Sequence, residues 1–383
     1  MLHILLPVSS PPRRGGPLAA MRPIRERWPF ALAPFIVLAV LLDVVGGPAI
    51  LTFLSSALAV IPLAALIGRA TEELADRSGP GIGGLVNVTF GNAPELIIAL
   101  FALGSGLHEV VKASLVGSIL GNVLLVMGGA MAAGGARRDR QVFNGTAASA
   151  QSSALMLAAS AVILPAVYEL AHGGRLPAAD AQLIDYNGSI IHLSVAIAAI
   201  MMLGYASLML FSLRTHRQLF NPPQEESERT PWPLRRSVGL LAVGGLATAG
   251  VSEILVGSIT QAARSAGLSQ FFVGAVAVAI VGNAAEHWVA VSMAAKDKVD
   301  LAVNIAIGSS SQIALFVLPA LVLCSTFIGP HPMALLLNGY ELAALVLAIL
   351  IAVQVTGRGE STWLDGVQLM GVYTVVVLTF AFA

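Results

Sequence analysis

The chain has 383 residues, of which 56% are hydrophobic and 11% charged, with 38 glycines. That is too little polar surface to cover a water-soluble globule, so the composition points to a polytopic membrane protein. The 21 basic residues are matched by 21 acidic ones, which implies no bulk attraction to nucleic acid, and the single cysteine, Cys324, excludes an intramolecular disulfide or a thiolate metal cluster.

Residues 1–28 hold Arg13, Arg14, Arg22, Arg25 and Arg27 among prolines and glycines and read as a basic tail, with Met21 an alternative start. The apolar run that follows has no clear small-residue cleavage site, so it is taken as a retained first span from about Phe30 to Val45 rather than a signal peptide. Ten further apolar runs of membrane-crossing length are expected at 49–69, 81–104, 109–134, 142–168, 184–213, 235–262, 269–295, 299–325, 333–355 and 363–383. The fold class is therefore an all-α polytopic membrane protein of about eleven transmembrane helices. It divides into a tail and leading helix (1–48), a first five-helix unit (49–213), a linker (214–234) and a second five-helix unit (235–383).

Along this alternating path eighteen of the 21 basic residues fall on one side, and only Lys112, Arg175 and Arg264 fall on the other. The asymmetry predicts a cytoplasmic N-terminus and a C-terminus on the opposite side. Five spans per unit would turn the second unit upside down relative to the first, the arrangement of an inverted repeat.

The units share a motif. Gly91-Asn92-Ala93-Pro94-Glu95 in the third span and Gly282-Asn283-Ala284-Ala285-Glu286-His287 in the eighth lie 191 positions apart, and at the same offset Gly83 matches Gly274, Gly117 matches Gly308 and Ser118 matches Ser309. A carboxylate in mid-membrane is costly and marks function. Two halves, each with an acid beside a Gly/Pro break, are the pattern of a secondary transporter whose site lies between the halves. No Lys or Arg is expected in the apolar core of any span to neutralise the two acids.

Gly83, Asn87, Gly91 and Glu95 recur every fourth residue and share a helix face, as do Gly274, Gly282 and Glu286. Pro94 cannot donate a backbone hydrogen bond, which would free a nearby carbonyl to face a ligand. Asn92 and Asn283, three residues before each acid, are placed to join a cation's shell or to hold the carboxylate. Ser114, Ser118 and Asn122 form a polar stripe on the fourth span, and Asn304, Gly308 and Gln312, with Ser309, another on the ninth; such stripes also serve as interhelical glue. All these are hard oxygen donors, in numbers approaching the six to eight that Ca²⁺ prefers. His287 is a packing residue or a proton carrier on this reading. Glu72, beside Glu73 at the end of the second span, and Glu253 within the seventh are candidates for an entry or proton pathway, and Glu341 has no assignment.

At these residues the sequence resembles the CAX-type cation/proton exchangers of the cation/Ca²⁺ exchanger superfamily. The likeness runs through Ile61-Pro62-Leu63, Thr71-Glu72-Glu73-Leu74, Gly83-Gly84-Leu85-Val86-Asn87 to Glu95, Gly117-Ser118-Ile119-Leu120-Gly121-Asn122, Leu213-Arg214-Thr215-His216, Gly282 to His287, Gly308-Ser309-Ser310-Ser311-Gln312 and Trp363-Leu364-Asp365-Gly366. The resemblance implies a leading helix plus five and five, with Ca²⁺ as substrate and H⁺ as counter-ion exchanged at Glu95 and Glu286. No cofactor is implied. Pro94 departs from the proton-coupled pattern toward the sodium-coupled one, and the short acidic stretch of Glu225, Glu226 and Glu228 weakens any cation-sensing role for the linker.

The expected partners are Ca²⁺, H⁺ and the lipid bilayer, and a homo-oligomer is compatible with the sequence. The membrane would be the cell or inner membrane of a prokaryote, or a vacuolar-type membrane of a eukaryote. Na⁺/Ca²⁺ exchange, or exchange of another divalent cation such as Mn²⁺, is the rival reading within the same fold. A membrane-embedded hydrolase would also use paired carboxylates, but not beside Gly-Asn breaks in an inverted repeat, and a channel ring of acids normally needs several subunits.

Overall fold

The structure, a computed structural model, describes residues 28–179, 184, 186–215 and 232–383, apart from the side chains at 79–82, 84, 85, 87 and 88. The basic tail and most of the linker, including Glu225, Glu226 and Glu228, lie outside the described residues.

In chain order the helices are α1 (Pro34–Val44), α2 (Ala49–Gly91), α3 (Ala93–Gly104), α4 (His108–Gly135), α5 (Gly145–Ala171), α6 (Gly188–Thr215), α7 (Leu234–Ala266), α8 (Gln270–Ala295), α9 (Val299–Cys324), α10 (Gly339–Gly357) and α11 (Trp363–Ala381). Nine helices among the described residues are long and apolar enough to cross a membrane; Trp28–Val44 and Ala93–Gly104 are shorter apolar ones.

Expected spans two and three meet in α2, which is assigned as helix for 43 residues but is not straight. A Cβ added to Gly83 would strike the Ala75 carbonyl, whereas a straight helix would hold residues eight apart about 12 Å from each other. The chain therefore turns back between them. α7 ends where Gly267 takes a left-handed φ of 68°, a cap that a side chain would strain.

α10 begins at Gly339, six residues later than expected. Asn338 and Glu341 form a reciprocal capping box that starts the helix there. The chain from Met333 to Asn338 is buried without being helical, so its backbone groups need partners from other elements. Met333 N–H donates to Ser325 Oγ at 2.8 Å, Leu335 N–H to Ser194 Oγ at 2.9 Å, and the Leu336 carbonyl accepts from Lys112.

The layering follows from which helices are apolar all round. In the most apolar stretches of α4 and α9, 94% and 72% of residues are buried, against 22% for α6 and 28% for α7. The two Gly-Ser helices thus form the centre, with α6 and α7 on the periphery. Close backbone approach makes the centre tight: a Cβ on Gly117 of α4 would strike the Ala275 carbonyl of α8. At one end of the bundle, Gln141–Val142 (β1) pairs antiparallel with Glu360–Ser361 (β2), Arg138 pairs with Asp297 at 2.9 Å, and Asn144 N–H donates to Asp300. These contacts tie the loop after α4 to the loops before α9 and α11.

Candidate functional site

The helix break expected at the first motif is present. α2 ends at Gly91, Asn92 takes a non-helical conformation (φ −99°, ψ 23°), and α3 starts at Ala93 with Pro94 in its first turn. Proline is preferred there because its missing N–H would be unbonded anyway. The Phe90 carbonyl, which a residue at 94 would normally engage, is not freed as expected: it accepts the Asn92 N–H. Glu95 sits in the first turn of α3, beside the positive end of the helix dipole, and is buried.

The second motif lacks that break. Gly282, Asn283 and Glu286 lie inside a continuous stretch, Ala279–Ala295. Ala285 keeps the N–H that proline lacks, so the helical ladder runs through. The irregularity is displaced to a π-helical stretch at Val273–Val278. Further π-helical stretches occur at Gly121–Val126 in α4 and Ile313–Val317 in α9, corresponding positions after the two Gly-Ser motifs. A π turn leaves the regular hydrogen-bond pattern and is frequent at functional sites.

Side chains at or beside the Asn92 break and the π-helical stretches of α4 and α9 meet. Asn122 Nδ2 donates to Ser309 Oγ at 3.2 Å, Ser309 Oγ to Asn92 Oδ1 at 3.4 Å, and Asn92 Nδ2 to Gln312 Oε1 at 2.6 Å. Asn283 Nδ2 donates to Ser118 Oγ at 2.9 Å and to the Ala279 carbonyl at 3.0 Å. His287 Nε2 lies 3.1 Å from Asn122 Oδ1 and must be the donor, since an amide oxygen only accepts. Glu95 and Glu286 are close enough for their charges to interact, and Ser309 lies against Glu286.

Several acceptors are left over. Glu95 Oε2, Glu286 Oε2 and Asn283 Oδ1 are buried with no partner among the described residues. Buried oxygens without donors are rare and call for an occupant. A small cavity with room for about one water-sized particle lies beside Glu95, lined also by Ile98, Ser114, Ser118, Ala279 and Gly282. Gly282 lets α8 pass this close: a Cβ there would lie 3.5 Å from Glu95 Cγ. Two carboxylates with amide and hydroxyl oxygens form a hard donor set that suits a cation such as Ca²⁺. No group of three or more His, Cys, Asp or Glu suited to a resident metal occurs among the described residues.

Over residues 48–214 and again over 236–382 the sequence matches the family described as sodium/calcium exchanger protein. The chain belongs to that family. The Ca²⁺/H⁺ antiporter of Aphanothece halophytica is 40% identical over 368 residues, covering 92% of this chain and 96% of the relative. The Ca²⁺/H⁺ antiporter ChaA of Bacillus subtilis is 40% identical over 354 residues, covering 91% and 97%. The solved structure of the Ca²⁺/H⁺ antiporter protein YfkE shares 37% identity, with a TM-score of 0.77 over 93% of this chain and 100% of that one. Exchanger family and apolar helices together make this an integral membrane protein.

Not every expected site residue of this exchanger reaches the network. Gly91 has nothing within 4 Å of a Cβ placed on it, and the side chain of Asn87 lies outside the described residues. Glu253 is exposed on α7, outside the buried face formed by Ser252, Leu255 and Val256, so its placement among the site or pathway residues is not supported. Its position in mid-span concealed that α7 is peripheral. Glu72 is exposed yet lies within electrostatic range of Glu286.

Gln151 of α5 was missed by the motif reading. Its carbonyl accepts from Ser311 Oγ at 3.1 Å and its side chain faces Gly308. A lone amide in an apolar run was the available signal. The expectation of no basic group within the spans is also corrected: Lys112 is buried in α4 at 1% exposure, but it pairs with Glu109 rather than with either central acid.

Proposed function

We propose that this exchanger is a Ca²⁺/H⁺ antiporter that moves Ca²⁺ out of the cytoplasm by alternating access, driven by the proton gradient. The observation that carries the reading is the convergence of Glu95, buried, and Glu286, half-buried, each with a buried unpartnered oxygen, beside a network built from α3, α4, α8 and α9. The proton-coupled activity named for the relatives points the same way.

When both carboxyls are ionised, Glu95, Glu286, Asn92, Asn283, Ser118, Asn122, Ser309 and Gln312 offer oxygens to a dehydrated Ca²⁺. Protonation neutralises the acids and removes the attraction. Because Ca²⁺ and H⁺ compete for the same oxygens, neither can be carried without release of the other. Access to either side would alternate as one group of helices slides past the rest in an inverted repeat of residues 49–213 and 235–383. Ca²⁺ is substrate and H⁺ counter-ion, and the reaction calls for no cofactor.

The N-terminus is assigned to the cytoplasm by the charge asymmetry, which sharpens once Lys112 is removed from the solvent-exposed set. That leaves Arg175 and Arg264 as the only basic residues on the opposite side. On this topology we read Glu72, three residues after Arg69 and within electrostatic range of Glu286, as a cytoplasmic entry residue.

The test is reconstitution of the purified chain in liposomes with an imposed pH gradient. Ca²⁺ uptake that follows the gradient without Na⁺ supports proton coupling. Uptake that requires Na⁺ and ignores the pH gradient would move the chain to the sodium-coupled reading, which Pro94 and the family description favour.

A further inference from the structure

A second group of buried charges lies at the start of α4, away from the cation site. His108, Glu109 and Lys112 are 5%, 7% and 1% exposed. Lys112 Nζ is 2.5 Å from Glu109 Oε1, donates to the Leu336 carbonyl at 2.7 Å, and lies 5.9 Å from the Tyr186 ring centroid. α10 adds Glu341, fully buried, whose Oε2 accepts the Asn338 N–H and whose charge interacts with Lys112 and Glu109. From the remaining elements, Glu169 of α5 lies within range of Tyr186, and the exposed His331 lies within range of His108.

The charges do not balance. Two carboxylates and one ammonium leave one negative charge in a site closed to water, which is unfavourable unless a further positive charge joins it. Two acceptors remain unused: Glu109 Oε2 and Glu341 Oε1 are buried with no partner among the described residues. One proton on either carboxyl would supply both the missing charge and a donor. Glu109 pairs with the ammonium and Glu341 Oε2 caps α10, but these structural roles leave Glu109 Oε2 and Glu341 Oε1 unused and the second negative charge uncompensated.

The location suits a relay. His331 is exposed, and His108, next in range, is buried with Nε2 unpartnered. In the other direction, Leu115, three residues after Lys112 on the same face of α4 and a rise of about 4.5 Å, lines the cavity that holds Glu95.

We propose that Glu109, Lys112 and Glu341 form a second proton-binding centre, which exchanges one proton with water at the His331 end of the bundle and passes it toward Glu95. The proton leaves as its carboxyl ionises and is accepted by the next carboxyl or imidazole; Lys112 keeps its own protons and acts as the fixed counter-charge. The relay rests on the antiport reading, whereas the proton-binding centre does not.

Infrared titration of the purified full chain, from mildly acidic to alkaline pH, reads the centre directly. With Ca²⁺ saturating, so that Glu95 and Glu286 are held ionised, a protonated-carboxyl band should persist at neutral pH and disappear in Glu341→Gln or Glu109→Gln; the component lost in those variants should survive in Glu95→Gln and Glu286→Gln. Glutamine keeps the capping box of α10. Lys112→Gln should strengthen the band, since a second proton must then replace the lost ammonium. In liposomes Glu341→Gln should slow exchange about tenfold while Ca²⁺ affinity at equilibrium stays within about twofold. A band untouched by both Gln variants, or a second Ca²⁺ equivalent bound in its place, overturns the centre. Loss of the band with exchange at the wild-type rate overturns the relay. A wild-type chain that shows the band but no pH-driven Ca²⁺ flux would refute the antiport reading instead.

Discussion

Asn92 Nδ2 and Gln312 Oε1 are joined at 2.6 Å across 220 residues of sequence. The bond links the break between α2 and α3 to the turn of α9 that precedes its π-helical stretch. It holds the Asn92 amide so that its oxygen faces Ser309. Asn92→Ala and Asn283→Ala should each weaken Ca²⁺ binding by about 1 kcal/mol, or roughly fivefold, since each loses neutral hydrogen bonds and an oxygen donor. Insertion and folding should persist, as judged by gel filtration in detergent. Loss of insertion with Ca²⁺ affinity retained would assign these amides to packing alone.

Glu95→Gln and Glu286→Gln keep the side-chain shape but remove a charge that faces a divalent cation in a buried site. Removing one partner of a buried charge pair costs about 2–5 kcal/mol, so Ca²⁺ affinity should fall more than about thirtyfold and exchange should stop. Flux assays on reconstituted variants check this. Near-normal exchange in either one would remove that residue from the site.

Two glycines should separate fold from function. Gly117→Ala drives a methyl into the Ala275 carbonyl, so α4 and α8 must part, and the variant should lose about 1–3 kcal/mol of stability. Gly282→Ala places a methyl at an ordinary contact distance from Glu95, 3.5 Å from Cγ, so its stability should be nearly unchanged while Ca²⁺ binding weakens. Thermal unfolding in detergent, paired with Ca²⁺ titration, measures both. Equal thermal stability in the two variants would contradict the close crossing at Gly117.

Much of the cation site was legible in the sequence because it is written twice. The repeat at an offset of 191 singled out Glu95, Glu286, both asparagines and both Gly-Ser motifs, and of these the described hydrogen bonds join Asn92 to Ser309 and Asn283 to Ser118. The repeat also misled, since equal motifs suggested equal breaks; Pro94 interrupts its helix, and Ala285 does not interrupt α8. Glu253 could not be oriented from hydropathy, because nothing local says which face of a helix meets its neighbours. The Lys112 cluster was hidden for a different reason. Its members come from His108–Lys112, Tyr186 and Glu341, which occur once each in no shared motif, and the buried non-helical stretch Met333–Asn338 looked like the start of a span.

The topology is open to direct labelling. Reporters inserted after Arg138 and after Lys298 should both be cytoplasmic, at the end of the bundle where Arg138 pairs with Asp297. Tags near Gly173 and after Ala383 should be reached from outside. A cytoplasmic C-terminus would break the arrangement of a leading helix plus five and five.

The central claim is that Ca²⁺ and protons compete for Glu95 and Glu286, and calorimetric Ca²⁺ titration of the purified protein across pH tests it most directly. Where binding displaces two protons, the dissociation constant should rise on acidification by about a hundredfold per pH unit, or roughly 2.7 kcal/mol. It should level off at alkaline pH, once the empty site carries no protons. In Glu95→Gln or Glu286→Gln the limiting slope should drop to about tenfold per unit in whatever binding survives. A Ca²⁺ affinity that stays constant from mildly acidic to alkaline pH would contradict the account and remove both carboxylates from the proton side of the exchange.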